Sequence, residues 1–374
     1  MRGLKKDTKM NTSTKNKLVK VFLWTVTILA IVFLLVAQNN LLVPYENVFQ
    51  LNDLPKSLVG YKICHISDIN NSSVNIVSSV KKFEPDIILM SGGYSDSSGN
   101  AENTISEVKA LCEIAPVYYV LNIEDMETNP NVLEGTGAIN LTDNVIEVNK
   151  TYEDTETFIK TNYGSDLWKA YENKDEDVVR YITYVESELQ RTQNETLRIT
   201  GMHLYNEDEN GDQAGDLAVQ YMNKITAQGN RAYDIALVGN IKLVEPLCDS
   251  SNVDIIFTGG TYGTDKFSDN FKKGHYGFHG KQVFVSGGVG GHAGVRRIFN
   301  FPEIQLITLS DGSIKQRNTL ERFIDRLTKN TSDIMSNDTG YHSGTIKDNR
   351  ETDEKIKENE NFEGTIENET TASN

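Results

Sequence analysis

Four short apolar runs organise this chain, and each ends in a loop of glycine, asparagine or acidic residues. The four segments are Lys62–Asn70, Asp86–Asp96, Val117–Asp125 and Asp254–Thr264. Helical spacing in Val74–Phe83 and Ala101–Ile114 separates the first three, and this strand–helix–strand alternation predicts a layered α/β fold. In open α/β sheets ligands bind in loops at the carboxyl ends of strands, so we expect these four loops to share one site.

The second half of the chain continues the same alternation. We predict a helix over Leu217–Gln228 and strands over Tyr233–Val238 and Val283–Val285. Two short strands around Thr142–Asn144 are expected to form a hairpin. Residues 151–197 are polar and acidic and contain a helical stretch, so we interpret them as a surface insertion in the domain.

The N-terminal region has the composition of a membrane anchor. Residues 1–17 are basic, and the run Val21–Ala37 contains no charged residue. With its apolar neighbours this run approaches the about 20 residues that a spanning helix needs, so we predict a transmembrane signal-anchor helix over residues 18–37. The positive-inside rule predicts a cytoplasmic N-terminus and a single-pass protein of the cell membrane whose globular domain is extracytoplasmic.

A cleaved secretory signal is the alternative, because its regions follow the same order along the chain. The apolar run is longer than is usual for such a signal. In addition, Gln38–Asn40 offers no small-x-small cleavage site. Both alternatives place the globular part of the chain outside the cytoplasm.

Acidic residues outnumber basic ones, and the formal net charge is −16. This charge argues against nucleic-acid binding through the chain as a whole, because such binding needs basic residues that neutralise phosphates. Residues 329–374 are polar and acidic without periodicity, so we predict a disordered tail there. If the protein has a protein partner, this tail and the insertion at residues 151–197 are the candidate binding regions.

The order of the loop motifs resembles that of the calcineurin-like metallophosphoesterases, most closely their membrane-anchored bacterial branch. That family carries D-x-H, G-D, G-N-H-E, a lone His and G-H-x-H in this order, each after a strand. The resemblance covers about Leu42–Leu309, including Glu84–Ile88 before the second motif and Arg297–Leu309 as the closing strand. It implies a domain over residues 42–328 with two packed β-sheets flanked by helices, a four-layer sandwich.

Most positions at which that family binds metal hold other residues here. Asp68 matches the Asp of the first motif and Asn122 the Asn of the third, whereas Asn70 replaces a His and offers at best a weak neutral ligand. Ile123 occupies the place of the catalytic His, beside Glu124. The family positions that the resemblance implies are vacated are Gly93, Gly239, Gly260 and Tyr262.

These substitutions predict that the metal site is lost while the scaffold is kept. Two divalent ions about 3.5–4 Å apart repel each other and need carboxylate and imidazole ligands to compensate their charge. A single carboxylate with one or two amides does not supply that compensation. The resemblance then implies a catalytically degenerate phosphoesterase domain with a binding or regulatory role and no cofactor.

The alternative is an active metal-dependent phosphoesterase, a hydrolase, with a remodelled metal site. Its ligands would be Asp68, Asn70 and Asn122, with Glu124 as a possible base. Such an enzyme would hold two divalent ions (Mn, Fe or Zn) or a single one.

Histidine offers little replacement chemistry. His65 lies inside the first strand, and we interpret it as a core residue whose ring nitrogens have partners. His275 and His279 have an i, i+4 spacing, but the glycines between and around them argue against a helix that would bring both rings onto one face. His203 and His292 are interpreted as solvated or structural residues.

Cysteine and glycine are interpreted structurally as well. Cys64 and Cys112 lie in apolar segments, and we expect buried thiols rather than a disulfide or a metal motif. The turn Ser286–Gly291 is rich in glycine but is not followed by the Lys-Ser/Thr pair of a phosphate-binding loop. We therefore expect it to serve backbone geometry.

Overall fold

Two six-stranded β-sheets form the centre of the described structure. The computed structural model describes residues 12–149, 152, 154–174, 178–202, 212–229, 231–261, 271–291, 297 and 300–314. The chain divides into two units, Met1–Gln316 and Arg317–Asn374. The second unit, and with it the predicted tail, lies outside the described residues.

The strands follow the apolar runs of the sequence closely. Along the chain they are β1 (Tyr45–Gln50), β2 (Lys62–Ile66), β3 (Ile87–Ser91), β4 (Val117–Val120), β5 (Ile139–Asn140), β6 (Val145–Val148), β7 (Leu197–Met202), β8 (Tyr233–Val238), β9 (Ile255–Thr258), β10 (Gly274–Phe278), β11 (Lys281–Val285) and β12 (Gln305–Ser310). The strand predicted over Tyr233–Val238 has these bounds in the structure.

Both sheets are mixed. The first has the order β1-β12-β2-β3-β4-β5, and its only antiparallel pair among the described strands is β12 with β2. The second has the order β10-β11-β9-β8-β7-β6, with a parallel centre and antiparallel pairs at both edges. The parallel strands of each sheet therefore end at one common edge, where the loops after β2, β3 and β4 and those after β8 and β9 begin.

The helices complete the layers. They are α1 (Thr12–Asn40), α2 (Val77–Phe83), α3 (Glu102–Cys112), α4 (Ile123–Thr128), α5 (Thr155–Tyr163), α6 (Ser165–Asn173), α7 (Val179–Asn194), α8 (Asp212–Thr226) and α9 (Val244–Ser250). The predicted helix over Leu217–Gln228 corresponds to α8, which begins earlier and ends two residues sooner.

Three clusters of buried apolar side chains hold the layers together. The cluster between the sheets joins residues such as Leu89 of β3 and Phe257 of β9. Outside the first sheet, Met90 packs with Val108 of α3, and outside the second, Ile256 packs with Leu247 of α9. Strands of this kind are buried on both faces, and β3 is buried along its whole length, as expected for a parallel strand covered on both sides. The predicted α/β class with two packed sheets and flanking helices is confirmed.

Helix α1 is long and apolar enough to serve as a membrane span or a signal anchor. An 18-residue stretch of it, Asn16–Phe33, is apolar enough to cross a membrane, and none of that stretch is buried against the rest of the protein. It is the candidate span found among the described residues. The helix extends beyond the predicted span of residues 18–37 at both ends.

The segment predicted as an insertion forms three helices, α5, α6 and α7, with an apolar cluster of their own. Phe158, Ile159 and Val185 are buried in that cluster. Arg191 of α7 donates a hydrogen bond to the backbone oxygen of Asp53, which ties these helices to the segment after β1.

The prediction of a hairpin around Thr142–Asn144 is wrong. Strand β5 pairs with β4 in the first sheet, whereas β6 pairs with β7 in the second. Thr142 forms an isolated parallel bridge with Gly201, so the chain crosses from one sheet to the other at this point. Because β5 and β6 are neighbours in the sequence, they were expected to pair with each other. Each pairs instead with a strand of a different sheet.

Candidate functional site

The structure brings the predicted site loops together at the carboxyl ends of the strands. The backbone N–H of Gly260, after β9, donates to Asp68 Oδ2, after β2, at 2.9 Å. A Cβ atom at Gly93, after β3, would lie 2.8 Å from Asp68 Oδ1, and one at Gly239, after β8, would lie 3.3 Å from Asn122 Cα. Loops from both sheets thus meet around Asp68 and Asn122.

Asp68 is fully buried and only partly satisfied. Its Oδ2 accepts hydrogen bonds from Ser67 Oγ at 2.8 Å and from Gly260 N–H. Within the described part of the chain, its buried Oδ1 has no hydrogen-bond partner. Burial raises the pKa of this carboxyl from 3.8 to about 6, although the two hydrogen bonds and the charge of Arg297 act in the opposite direction.

The backbone around Asp68 is strained. Asp68, Asn70 and Asn71 all have positive φ angles, of 50°, 47° and 55°. Non-glycine residues rarely adopt this left-handed conformation, and asparagine and aspartate tolerate it best. The Asn70 side chain turns back to donate to the carbonyl of Gly291 at 3.1 Å. The loop is therefore held by tertiary contacts.

Asn122, the second residue that matches the resemblance, caps a helix. Its Oδ1 accepts the backbone N–H of Asp125 at 2.8 Å, and Asp125 Oδ2 accepts the backbone N–H of Asn122 at 3.1 Å. This reciprocal pair is a capping box at the start of α4. The amide oxygen that the family resemblance assigns to metal is thus engaged by the backbone of its own helix.

Asp125 is a residue of the loop cluster that the sequence analysis missed. Its carboxylate also accepts the backbone N–H groups of Gly93 at 2.8 Å and of Tyr94 at 2.9 Å. Burial raises its pKa, and these hydrogen bonds oppose that rise. The N-x-x-D spacing from Asn122 is a capping signal and could have identified the residue. Asp125 ties the loop after β3 to the loop after β4.

The positions that the resemblance implies are vacated differ in the space around them. A Cβ atom at Gly93 would lie 2.7 Å from Asp68 Cα, and one at Gly239 would lie 2.2 Å from the carbonyl oxygen of Leu121. Around Gly260 no atom of the described residues lies within 4 Å of such a Cβ, but its φ of 79° disfavours other residues. Backbone therefore occupies the first two positions, and Tyr262 lies outside the described residues.

Ile123 and Glu124 lie at the start of α4. Ile123, which the resemblance aligns with a catalytic His, is partly buried against the apolar cluster on the outer side of the second sheet. Glu124 is exposed and has its backbone carbonyl engaged by Thr128 Oγ at 2.6 Å.

The glycine turn after β11 packs its backbone directly onto the Asp68 loop. The backbone N–H groups of Val289 and Gly290 donate to the carbonyls of Ser67 at 3.0 Å and Asp68 at 2.6 Å. The N–H of Gly287 donates to Glu303 Oε1 at 3.1 Å. With these amides engaged inside the protein, the turn fits the expected role in backbone geometry.

The histidines in the described part of the chain are used structurally. His65 is fully buried, with Nδ1 2.8 Å from Gln305 Oε1 and Nε2 2.8 Å from Ser91 Oγ, which confirms the predicted core role. Burial lowers its pKa from 6.5 to about 4. His275 lies on strand β10, not on a helix, and stacks on Phe284. His203 and His292 lie outside the described residues.

All three cysteines are free thiols. Cys64 and Cys248 are buried, but Cys112, which was predicted to be buried, is only half-buried. It lies in the last turn of α3, at the rim of the cluster outside the first sheet. The apolar pattern of a helix does not distinguish its buried face from its rim.

The donor set of the loop cluster does not fit a two-metal centre. Within the described residues, no three side chains of His, Cys, Asp or Glu lie together in a way that could hold a metal ion. Asp68 supplies one carboxylate, that of Asp125 already accepts three backbone N–H groups, and the oxygen of Asn122 accepts a hydrogen bond from its helix. Two divalent ions need more compensating charge than this set provides.

Comparison with known proteins does not identify the chain. Neither a scan against models of protein families nor a search of curated proteins gave a match.

Proposed function

We propose that the chain is a membrane-anchored domain of calcineurin-like fold whose phosphoesterase site is degenerate and that serves in binding or regulation. Its anchor would be α1, and the globular domain would lie outside the cytoplasm. The order of strands, loops and motifs supports the fold. The state of the loop cluster supports the loss of catalysis.

One observation carries the proposal: backbone fills the space that metal-binding side chains would need. At Gly239 a Cβ atom would overlap the carbonyl oxygen of Leu121, which lies 2.2 Å away. At Gly93 it would lie 2.7 Å from Asp68 Cα. Contacts below 3.0 Å require the backbone to move, so an aspartate or histidine at these positions would not fit the present arrangement. The loops have closed on the positions from which the family's ligands project.

The two retained residues support the same conclusion. Asn122 uses its side-chain oxygen to begin α4, and Asp68 uses Oδ2 to hold Ser67 and Gly260. A residue that keeps a structural role is retained even when catalysis is lost. Their presence therefore does not require a working metal site.

The experiment is a measurement of metal content and turnover on the full chain purified in mild detergent. The protein is incubated with Mn, Fe or Zn, desalted and analysed for bound metal, and hydrolysis of an aryl phosphodiester is followed in parallel. We expect substoichiometric metal and no turnover above buffer. Asp68→Ala is the test variant, and Asp96→Ala, a half-buried aspartate in the neighbouring loop, is the matched control.

A second function is favoured by one specific feature of Asp68. Its Oδ1 is buried without a hydrogen-bond partner among the described residues, and its backbone has a φ of 50°. Strained, unsatisfied groups concentrate at functional sites. A single divalent ion could use this oxygen, with Asn70 as a neutral ligand and Glu124 as base. Stoichiometric metal and turnover that are lost in Asp68→Ala but kept in Asp96→Ala would establish this enzyme and overturn the degenerate site.

A further inference from the structure

We infer that the loop cluster around Asp68 faces the membrane surface, so that its ligand is a polar group presented in the headgroup layer of the bilayer. The inference rests on the proposed function, because it takes α1 as an uncleaved anchor. To the proposed function it adds which way the loop cluster faces and which class of ligand it binds. The argument uses the register of the first sheet, the length of the connection to α1 and the exposed residues at this edge.

The register places the start of β1 beside the site edge of the sheet. Tyr45, the first residue of β1, is aligned with Gln305, and Gln305 is aligned with His65 near the end of β2. Because β12 runs antiparallel to β2, the beginning of β1 and the carboxyl end of β2 lie at the same edge. Asp68 lies three residues beyond His65, and Leu42 lies three residues before Tyr45.

The connection from the anchor to this edge is short. Helix α1 ends at Asn40, and the backbone N–H of Val43 already donates to the carbonyl of Pro302 at 2.8 Å. Leu42 packs against the cluster outside the first sheet. Three residues of extended chain reach at most about 11 Å, so the end of α1 cannot lie far from this edge.

Hydrogen bonds continue from this attachment to the site loop. Beside Pro302, the backbone N–H of Glu303 donates to the carbonyl of Gly288 at 3.0 Å. Two residues further along that turn, the N–H of Gly290 donates to the carbonyl of Asp68 at 2.6 Å. The anchor attachment, the glycine turn and Asp68 therefore belong to one hydrogen-bonded unit.

The distances favour the headgroup layer as the neighbour of this edge. The uncharged apolar run of α1 ends at Ala37, and the three further residues of the helix rise about 4.5 Å, which lies within the headgroup layer of about 5–7.5 Å on one side of a bilayer. The connection Leu41–Pro44 then leads directly to the edge of the first sheet that carries the loop cluster. The other end of β1, Gln50, lies about 17 Å further along the strand.

Exposed apolar side chains are found at the same edge. Leu41 is 55% exposed and Val43 46% exposed in the connection, and Met126 of α4, in the loop cluster, is 39% exposed. Tyr45 is also exposed, and tyrosine is enriched at membrane interfaces. A lipid surface is the partner that suits such residues beside a membrane anchor.

The test measures which end of the domain lies near lipid headgroups. The full chain carries Cys112→Ser, since Cys64 and Cys248 are buried, and one fluorescent label at either Met126→Cys or Lys82→Cys. Met126 follows β4 at the site edge, whereas Lys82 is exposed in the last turn of α2, before β3, at the opposite end. Both proteins are reconstituted in phosphatidylcholine vesicles that contain a lipid with a headgroup quencher.

We expect quenching at position 126 to be several-fold stronger than at position 82. Insertion of ten Gly/Ser residues between Asn40 and Leu41 adds an average reach of about 18 Å and should reduce quenching at 126 to the level at 82. Equal quenching at both positions, stronger quenching at 82, or release of the domain from the vesicles would overturn the inference. Metal content and turnover are measured in detergent without a bilayer. A failure of the proposed function can therefore be distinguished from a failure of this inference.

Discussion

His65 and Asp68 lie three residues apart, and both are fully buried polar residues, yet they occupy very different environments. His65 belongs to β2 and has a partner for each ring nitrogen in Gln305 and Ser91. Asp68 lies just beyond the strand, with positive φ and one carboxylate oxygen without a partner among the described residues. The buried side chain of His65 has both of its hydrogen bonds, whereas the loop that carries Asp68 is strained.

The comparison shows that unmade hydrogen bonds and unfavourable backbone conformations are found in the Asp68 loop and not at His65. A buried polar network with all partners made stabilises one arrangement, because each unmade hydrogen bond in a low dielectric is costly. The Asp68 loop keeps an unmade bond and an unfavourable backbone. These costs persist because Gly260, Ser67 and the glycine turn hold the loop from several sides. Variants at both regions can sharpen or break this contrast.

The largest effect is expected at Gly239, where the loop cluster is most tightly closed. Gly239→Ala would place Cβ 2.2 Å from the carbonyl oxygen of Leu121 and should lower the free energy of unfolding by about 3 kcal/mol. Gly277→Ala on β10 is the control, because within the described parts of the chain no atom lies within 4 Å of its Cβ and its φ is not positive. Urea unfolding of the full chain in detergent measures both. Equal stability of the two variants would show that the cluster is loose.

An effect of comparable size is expected from His65: its burial should make the free energy of unfolding depend on pH. Burial lowers its pKa from 6.5 to about 4, so the unfolded chain takes up a proton at a higher pH than the folded one. The stabilisation is complete above about pH 6.5 and decreases by about 3 kcal/mol as the pH falls to about 4.

The His65 contribution must be separated from groups of opposite sign. Burial raises the pKa of Asp68 to about 6 and that of Glu107 to about 7, and both contributions decrease as the pH rises. We therefore compare wild type with His65→Gln by urea unfolding between pH 4 and pH 7.5. The difference in unfolding free energy between the two should grow with pH, and a constant difference would contradict a buried neutral His65.

A smaller effect of opposite sign is expected at Asp68. Because its folded pKa is raised from 3.8 to about 6, the carboxyl contributes fully to stability below pH 3.8 and loses that contribution as the pH rises through 6. Asp68→Asn removes the charge and should stabilise the protein by about 1–2 kcal/mol at pH 8 but little at pH 4. Thermal unfolding in detergent at both pH values measures this. A variant that is less stable than the wild type at pH 8 would contradict a destabilising charge at Asp68.

The smallest effect is expected at Glu124, the possible base of the alternative enzyme. Glu124 is exposed, so Glu124→Gln should change the free energy of unfolding by less than about 0.5 kcal/mol. With a degenerate site it should also leave aryl phosphodiester hydrolysis at the level of buffer. Turnover in wild type that is reduced in this variant without loss of stability would instead assign a base.

The sequence by itself determined the strands and the loops that follow them. The apolar runs at Lys62–Ile66 and Tyr233–Val238 are strands in the structure, and glycine or acidic residues end them as the pattern predicted. The sequence also predicted the apolar helix α1. These features follow from local rules, since the period of buried positions and the turn residues belong to neighbouring parts of the chain.

Only the tertiary structure decided what the loops do. The Gly260 N–H and the Asp68 carboxylate that it binds are 192 residues apart, and the contact of Gly239 with Leu121 crosses between the sheets. The sheet partners of β5 and β6 and the hydrogen bonds from Asp125 to the loop after β3 were likewise not specified by local sequence. Local patterns do not specify which distant backbone packs against a residue. That packing decides whether an aspartate at the end of a strand binds a ligand, caps a helix or holds a neighbouring loop.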